Sequence, residues 1–431
     1  MLFFLSAARY LCAGYRLHSL SACRMKNWKI RASLFINYFV FAILLNSVGI
    51  LIQRSMNQYG VDEVTASSLE AFKDLSIAFV SFLVGSFLPR LGYKRAMLLS
   101  LALVFGGCLV MYFGNSFTAV RVLFACVGIS FAFIKISVYS LVGMLTEGEK
   151  EHNSFLSAIE SFFMIGIATA FIAFPLFYSD TDPDAWLRIY LVIALLVAFS
   201  FFFLLSADFS SLSQEIPGTN LADDFRQMFY LLKRPVVLVF AIAAFMYVMT
   251  EQGIMSWLPT FNERVLHLSE AMSVRMAVIL MLSIAAGRYL SSLLVKRVNW
   301  LLLLIICLVA AGLMVIVILP QAENLEVREI RSLTDIPVIA YVFPLIGFFL
   351  APLYPLVNSV VLSSTEKVYH SPMASLLVFF SAIGGTGGSR LVGYLFRNIG
   401  GGKAFYFSLI PLAVLIICLI ILHFSISKKK A

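Results

Sequence analysis

Charged residues are scarce in this chain. Asp, Glu, Lys and Arg make up 13% of its 431 residues, whereas 61% are hydrophobic. A soluble domain typically has about 25% charged and about 45–50% apolar residues, so this chain has too little polar surface to cover a soluble globule. It also lacks the alternation of apolar and polar residues that marks a membrane β-barrel. The composition therefore predicts an all-α polytopic protein embedded in a lipid bilayer.

Residues that carry enzyme chemistry are also few. The 5 histidines are dispersed, and the 6 cysteines have neither CxxC nor Cys/His spacing, which argues against a metal site or a disulfide framework. No pairing of a nucleophile with a base is visible in the sequence. We therefore expect no enzyme activity, no metal and no cofactor.

The net charge of +9 does not predict a nucleic-acid partner. Basic residues stand in short clusters between apolar segments, as the positive-inside rule produces, rather than in one long patch. Such clusters occur near both ends of the chain, at 24–31 and 428–430. An even number of spans places both termini on the same side of the membrane, and the basic clusters predict that this side is the cytoplasm. The predicted membrane is a bacterial inner membrane.

Long apolar runs are what the chain has in abundance. Twelve of them are long enough to cross a bilayer as helices, with six on each side of a more polar stretch. The first six fall near 33–53, 66–88, 97–114, 118–145, 155–178 and 186–206. The second six fall near 235–262, 270–295, 300–319, 337–362, 372–397 and 404–424.

The predicted organisation follows from these runs. It consists of a cytoplasmic N-terminal segment (1–32), a six-helix half (33–206), a cytoplasmic linker (207–234), a second six-helix half (235–424) and a basic tail (425–431). In the linker, "LADDFRQMFYLLKRP" has acids early, bases late and an apolar stripe between them. This pattern predicts an amphipathic helix on the inner membrane surface. Residues 1–24 predict no function, and Met25 is the expected working start.

Six plus six spans joined by a linker resemble the major facilitator superfamily, whose halves are repeats around a central cavity. After the second span, "GSFLPRLGYKRAML" (85–98) resembles the signature of that superfamily between spans two and three. Pro89 stands near the position of the usual acid of the signature. The resemblance implies a cytoplasmic gate motif composed of Gly85, Arg90, Gly92, Lys94 and Arg95.

Three motifs in the second half narrow the match. "YVMTEQGIMSWL" (247–258), "GFFLAPLYPLVNSVVL" (347–362) and "SAIGGTGGSRLVGYLFRNIG" (381–400) resemble spans seven, ten and eleven of the fucose–proton symporter-like subfamily. The resemblance implies a proton-coupled sugar transporter. The chain also departs from that pattern, because Ser47 and Lys135 replace acids of the subfamily and Arg390 replaces a proline. These departures argue against fucose itself as the substrate.

The glycines of the last motif predict close packing between helices. Gly384 and Gly388 are four residues apart within one apolar helix, so both lie on the same face. No strand precedes "GGTGGS", which excludes a dinucleotide-binding loop.

Glu70, Lys73 and Asp74 lie within about one turn of the second span. A charge near the middle of a membrane helix costs about 2.5–3.5 kcal/mol on insertion scales, so we expect these side chains to face the protein interior. Two interpretations remain open. The three residues form either a self-neutralised structural cluster, with Glu70 paired to Lys73, or a proton-coupling site in which Asp74 carries the proton.

Lys135 and Glu251 lie near the midpoints of spans four and seven. Lys135 either pairs permanently with Asp74 or Glu251, or offers its charge to an anionic group of the substrate. Glu251 either closes one state through a salt bridge or is a protonatable coupling group. We hypothesise that a Lys135–Glu251 contact forms in one state and breaks in the other, and that it thereby couples protonation to access.

Other polar and aromatic residues complete the predicted site. Arg390 and Arg288 are the other basic candidates. Arg390 lies near mid-depth and can bind a carboxylate bidentately. Arg288 lies nearer the inner end of its span, where it either snorkels, the favoured interpretation, or has a functional role. Arg121 and Glu160 lie near span ends, where structural roles are expected. The aromatic residues either stack on a sugar ring or simply pack. The predicted substrate-binding residues are therefore Lys135, Arg390, Tyr247, Trp257, Tyr354 and Asn46.

The sequence as a whole predicts a secondary active transporter that moves a small polar solute by alternating access, coupled to protons. The expected solute is a sugar or an acidic sugar derivative, and the expected oligomeric state is a monomer. Two alternatives stay open. One is an exporter of amphipathic or drug-like compounds, which would need a mostly apolar cavity. The other is a non-transporting membrane sensor, which would bind a solute without moving it.

Overall fold

The computed structural model describes residues 27–146, 149–179, 181–209, 230–295, 297–323, 335–363 and 370–430. Within these residues the chain forms helices and no strands, which confirms the predicted all-α fold. Residues 1–24 and most of the predicted amphipathic helix at 221–235 lie outside the described residues.

The N-terminal half contains six helical regions. The first is interrupted at Ser47, whose hydroxyl donates a hydrogen bond to the Leu44 carbonyl. The fifth is continued by a 3₁₀ turn, Phe174–Phe177. The six are α1 (Trp28–Tyr59), α2 (Ser68–Leu91), α3 (Tyr93–Gly114), α4 (Phe117–Leu145), α5 (Glu149–Ala173) and α6 (Arg188–Leu205).

The C-terminal half contains six more. Its fourth helix, α10, is a series of shorter pieces broken near Pro344 and Pro352, since proline removes a backbone donor. These pieces are Val338–Val342, Phe343–Leu345, Ile346–Leu350 and Leu353–Ser363. The six are α7 (Pro235–Arg264), α8 (Glu270–Leu294), α9 (Trp300–Glu323), α10 (338–363), α11 (His370–Ile399) and α12 (Leu409–Lys430).

Eleven helical regions among the described residues are long and apolar enough to cross a membrane. The twelfth helix, α2, has 24 residues and begins with the charged turn at Glu70, Lys73 and Asp74. The predicted twelve-helix arrangement is therefore confirmed. The chain is an integral membrane protein, and the orientation of its termini stays a prediction.

The most extensive helix pair is α7 with α11, and glycines make it possible. A Cβ atom added to Gly384 would meet the Phe245 carbonyl, and one added to Gly388 would meet the Met249 carbonyl and lie 3.0 Å from its Cα. The predicted close packing at these two glycines is confirmed. By contrast, a Cβ on the neighbouring Gly387 would have its nearest neighbour 4.0 Å away.

This difference predicts opposite effects for two adjacent substitutions. We expect Gly388→Ala to lower the stability of the protein by about 1–3 kcal/mol, because α11 must move away from the α7 backbone. Gly387→Ala is the matched control and should be neutral or slightly stabilising, since alanine favours a helix by up to about 1 kcal/mol. Thermal unfolding of both purified variants in one detergent measures the difference. Equal melting temperatures would contradict the packing described here.

Hydrogen bonds between helix ends identify the two ends of the bundle. Arg31 at the start of α1 donates to the Leu145 carbonyl at the end of α4, at 2.7 Å. Lys94 at the start of α3 donates to the Leu205 carbonyl at the end of α6, at 2.9 Å. We call this the terminal end, because α1 begins there and α12 ends there. The opposite end is called the distal end.

Candidate transport site

The two halves are joined by polar contacts at the distal end. Arg54 of α1 forms an ion pair with Glu270 of α8, with 2.7 Å between Nη1 and Oε2, and donates to the Pro183 carbonyl at 2.7 Å. Gln53 donates to Glu263 of α7 at 2.5 Å. Arg54 is only 9% exposed, so its charge pair is partly shielded from solvent.

The short turn Glu63–Ala66 before α2 adds two more ion pairs. Glu63 contacts Arg264 of α7 and Asp62 contacts Arg397 of α11, each at 2.5 Å. Asp62 also caps the turn by accepting the Thr65 amide hydrogen at 2.9 Å. Hydrogen bonds from Thr65 and the nearby Arg397 guanidinium hold the pKa of Asp62 below its usual value. We call the contacts of Arg54, Gln53, Asp62 and Glu63 with the C-terminal half the distal latch.

Removing one charge pair of the distal latch should favour separation of the halves at this end. Arg54→Gln leaves Glu270 without its partner. We expect the equilibrium between joined and separated halves at the distal end to shift towards separation by about 1–3 kcal/mol, or about 5- to 150-fold. The reporter is a cysteine introduced by Thr260→Cys, at a fully buried position of α7 near the distal end. A membrane-impermeant maleimide labels this cysteine, and mass spectrometry of its peptide measures the extent of labelling.

The control for this experiment is Arg188→Gln. Arg188 also pairs with a carboxylate, Asp182, but both residues belong to the N-terminal half and are well exposed. This variant should leave the labelling rate of Thr260→Cys unchanged. If both arginine variants label at the same rate as the reporter alone, the distal latch does not hold the halves together.

Below the distal latch lies the charged turn of α2, which is buried. Glu70, Lys73 and Asp74 are 0%, 3% and 8% exposed. The Lys73 ammonium is 2.5 Å from a Glu70 oxygen and 3.4 Å from an Asp74 oxygen. Ser256 of α7 donates a hydrogen bond to the second Glu70 oxygen at 2.9 Å. We call these three charged residues the α2 triad, and it contains one more carboxylate than ammonium.

Asp74 lies in the contact between the halves. Its Oδ2 atom is 2.5 Å from the position that a Cβ atom on Gly385 of α11 would occupy. The side chain of Gln252 approaches the same position, with its Cγ at 3.4 Å. The Gln252 Oε1 atom is buried and has no hydrogen-bond partner. The Asp74 carboxyl therefore rests against the C-terminal half with little space around it.

A second charged group lies closer to the terminal end. In the N-terminal half, Lys135 of α4 is half-buried, and its Nζ lies 5.9 Å from the centroid of the Phe131 ring. Among the described residues, no carboxylate lies within 4.0 Å of this ammonium. Glu160 of α5 is the carboxylate that interacts with Lys135 at longer range. The hydroxyl of Tyr139 donates to Glu160 at 2.8 Å.

The C-terminal half contributes the rest of this group. Tyr247 of α7 donates to Glu251 at 2.6 Å, and the Tyr247 and Tyr354 rings pack with their centroids 5.6 Å apart. Arg288 of α8 has Nη2 at 3.9 Å from the same Glu251 oxygen. Arg288 also interacts with Glu160 across the two halves. We call Lys135, Tyr139, Glu160, Tyr247, Glu251, Arg288 and Tyr354 the central cluster.

The central cluster lies on the terminal side of the distal latch. Lys135 is ten residues from the end of α4, and Glu160 is eleven residues from the start of α5. At 1.5 Å per residue, both lie about 15–17 Å from the terminal end. The hydrogen bonds and ion pairs between the halves, as far as the described residues show them, lie on the distal side. Tyr139 in this cluster is 39% exposed.

Three of the predicted substrate-binding residues are not brought into the central cluster. Trp257 is fully buried, and its indole nitrogen donates to the Ser389 carbonyl at 2.9 Å. Asn46 is buried and donates to the Ala42 carbonyl of its own helix at 3.0 Å. Arg390 is exposed on α11, on the same face as the exposed Tyr394. These positions favour packing for Trp257 and Asn46 and a surface location for Arg390.

The predicted Lys135–Glu251 contact is absent from this structure, because Glu251 is engaged by Tyr247 and Arg288. Lys135 does not contact Asp74 either, since Asp74 lies against Lys73. The predicted permanent pairing of Lys135 with either acid is therefore wrong for this state. A contact that forms in another state stays a prediction.

The predicted gate motif is only partly described. Gly92 links α2 to α3 with φ of +87°, a conformation that favours glycine. Lys94 donates to the Leu205 and Ala207 carbonyls at 2.9 and 2.6 Å, so it stabilises the end of α6 within its own half. Arg95 is exposed. Gly85 and Arg90 lie in α2, and the surroundings of Gly85 and the side chain of Arg90 are outside what the structure describes.

The sequence did not predict that Glu160, Tyr139 and Arg288 belong to the central cluster. Glu160 was expected near a span end, but α5 begins at Glu149, six residues before the predicted start, which places Glu160 three turns into the helix. Arg288 was expected to snorkel, but its Nε is buried. The signal that was available is the ionisable character of each side chain within an apolar run.

Comparison with known proteins supports the fold. The family model described as Major Facilitator Superfamily matches residues 33–370. No curated protein matches the chain.

Solved structures of transporters resemble the chain over nearly its whole length. A single-residue variant of the fucose:proton symporter FucP of E. coli has 15% sequence identity and a TM-score of 0.63, with 92% of this chain and 99% of that chain covered. A single-residue mutant of the nucleoside transporter NupG has 13% identity and a TM-score of 0.71, with 91% and 99% covered. A POT family transporter in complex with a thioalcohol-conjugated peptide has 16% identity and a TM-score of 0.71, with 94% and 98% covered. At these identities the likeness shows the fold alone.

Proposed function

The chain belongs to the major facilitator superfamily, and on this basis we propose that it is a secondary active transporter that moves a small polar solute by alternating access, coupled to protons. The observation that carries the proposal is the asymmetry of the contact between the halves. The distal latch joins them at one end, whereas the central cluster has charged and half-exposed side chains on the other side of that contact. A solute bound there would be reached from one side of the membrane at a time.

The chemistry of the central cluster favours a polar solute over an amphipathic one. It contains two carboxylates, an ammonium and a guanidinium, and burying such groups against an apolar ligand would be unfavourable. Tyrosine hydroxyls and the Tyr247–Tyr354 ring pair add groups of the kind that bind a sugar ring. Structural neighbours include proteins named as fucose:proton and D-xylose-proton symporters. A sugar or an acidic sugar derivative is therefore the proposed solute.

The proposed proton site is the α2 triad. With all three side chains ionised, the triad holds a net charge of −1 between the halves, where low dielectric makes an unbalanced charge costly. A proton on Asp74 would neutralise it and favour the close contact with Gly385 and Gln252. Glu70 is held by Lys73 and by Ser256, which leaves Asp74 as the preferred carrier. Low pH should therefore favour closure at the distal end.

Asp74→Asn tests this assignment, because asparagine mimics the neutral side chain at every pH. At each pH the labelling rate of Thr260→Cys is divided by its rate in the denatured protein, because the reactive thiolate fraction itself rises with pH. We expect this ratio to rise with pH in the otherwise wild-type protein and to stay low at every pH when Asp74→Asn is added. Asp182→Asn, at an exposed carboxylate of the N-terminal half, is the control and should retain the pH dependence. An Asp74→Asn variant that still opens as pH rises would contradict the assignment.

Flux in proteoliposomes tests the transport function itself. Radiolabelled neutral hexoses, deoxyhexoses, hexuronates and amino sugars would be offered with and without an imposed pH gradient. Uptake that depends on the gradient supports a proton-coupled transporter. Binding without flux would favour a membrane sensor instead. Flux of amphipathic compounds alone would favour an exporter.

A further inference from the structure

Two cations of the central cluster are incompletely paired. Lys135 has no carboxylate within 4.0 Å among the described residues, and its Nζ lies over the Phe131 ring at 5.9 Å. A lone ammonium inside a membrane protein requires compensation by a group of opposite charge. Glu160, the carboxylate that interacts electrostatically with Lys135, already accepts a hydrogen bond from Tyr139 at 2.8 Å.

Arg288 is in a similar position on the other half. Its ion pair with Glu251 spans 3.9 Å, whereas a charge-assisted hydrogen bond is typically about 2.7–2.9 Å. Its Nε is buried and has no hydrogen-bond partner. The Glu251 oxygen that it faces is the acceptor of the Tyr247 hydroxyl at 2.6 Å. The guanidinium therefore retains donors that could bind a planar anionic group.

The charges of the cluster also restrict the charge of the ligand. Lys135 and Arg288 balance Glu160 and Glu251, so the cluster with all four ionised is neutral. A ligand with one negative charge gives the cluster a charge of −1, while the proton that enters with it cancels the charge of −1 on the α2 triad, so the combined charge of the two groups does not change. A ligand with two negative charges leaves an excess that low dielectric disfavours.

From these observations we infer that the solute is a monoanion whose carboxylate binds between Lys135 of the N-terminal half and Arg288 of the C-terminal half. This inference rests on the proposed function and specifies the substrate class of the same site. The carboxylate replaces the long Arg288–Glu251 contact with two short charge-assisted hydrogen bonds. It thereby links the two halves at the central cluster, in addition to the distal latch.

Ligand-induced thermal stabilisation tests the inference without requiring flux, since a ligand that binds only the folded state raises its stability. The probes are D-glucuronate and D-galacturonate, their neutral counterparts D-glucose and D-galactose, and the dianion glucose 6-phosphate. We expect the two uronates to stabilise the protein. The neutral sugars and the dianion should bind with an apparent affinity at least about tenfold lower.

Lys135→Gln and Arg288→Gln should each weaken uronate binding by about 10- to 100-fold, the range expected for losing a hydrogen bond to a charged group. Arg275→Gln is the matched control, because Arg275 lies on the same helix as Arg288 but is exposed. Glu251→Gln should strengthen uronate binding, because it frees Arg288 from its contact with Glu251. Melting temperatures without ligand identify any variant that fails to fold, and Glu251→Gln provides a gain that misfolding does not mimic.

Several results would overturn the inference. The inference is wrong if neutral sugars stabilise the protein to the same extent as the uronates. It is also wrong if uronate binding is unchanged in both Lys135→Gln and Arg288→Gln. Tighter binding of glucose 6-phosphate would also contradict a monoanion. If no probe stabilises the protein, the carboxylate assignment fails. In each of these cases the proposed transport function is tested independently, by the pH-dependent labelling of Thr260→Cys and by the flux measurements.

Discussion

The burial of three charges in one turn of α2 is the constraint on which the contact between the halves depends. Glu70, Lys73 and Asp74 cannot face lipid without a cost of several kcal/mol each, so α2 must turn this face inward. Inward, the face meets α7 through the Ser256 hydroxyl and α11 at Gly385. The orientation of one helix therefore fixes where the two halves touch.

Glycines allow this charged turn to be enclosed on both sides. A Cβ on Gly128 of α4 would meet the Lys73 carbonyl, and a Cβ on Gly385 would meet the Asp74 carboxylate. A Cβ on Gly49 of α1 would lie 2.8 Å from the Ser256 carbonyl oxygen. Because the helices approach this closely, little space remains for water beside the α2 triad. Its electrostatic interactions are consequently strong, and a change of one proton has a large effect on the contact.

The sequence predicted the fold and the inward-facing charges of α2 better than it predicted which neighbours the other polar residues contact. Long apolar runs determine where helices lie, and the cost of exposed charge predicted that Glu70, Lys73 and Asp74 face inward. Depth along a helix, however, does not say which neighbour a side chain meets. Trp257 and Glu251 share α7, yet Trp257 packs against α11 whereas Glu251 belongs to the central cluster. Only the packing of α7 against α8 and α11 separates these two outcomes.

Helix α7 connects the two charged groups of the protein. Tyr247 and Glu251 belong to the central cluster, Gln252 approaches Asp74 beside Gly385, and Ser256 binds Glu70. These residues lie within about three turns of one helix, so movement of α7 relative to α2 must change both groups together. The proposed proton site and the proposed solute site therefore need no long relay between them. A rigid helix that contacts both is a sufficient physical link, provided that its two positions differ in how it meets the α2 triad.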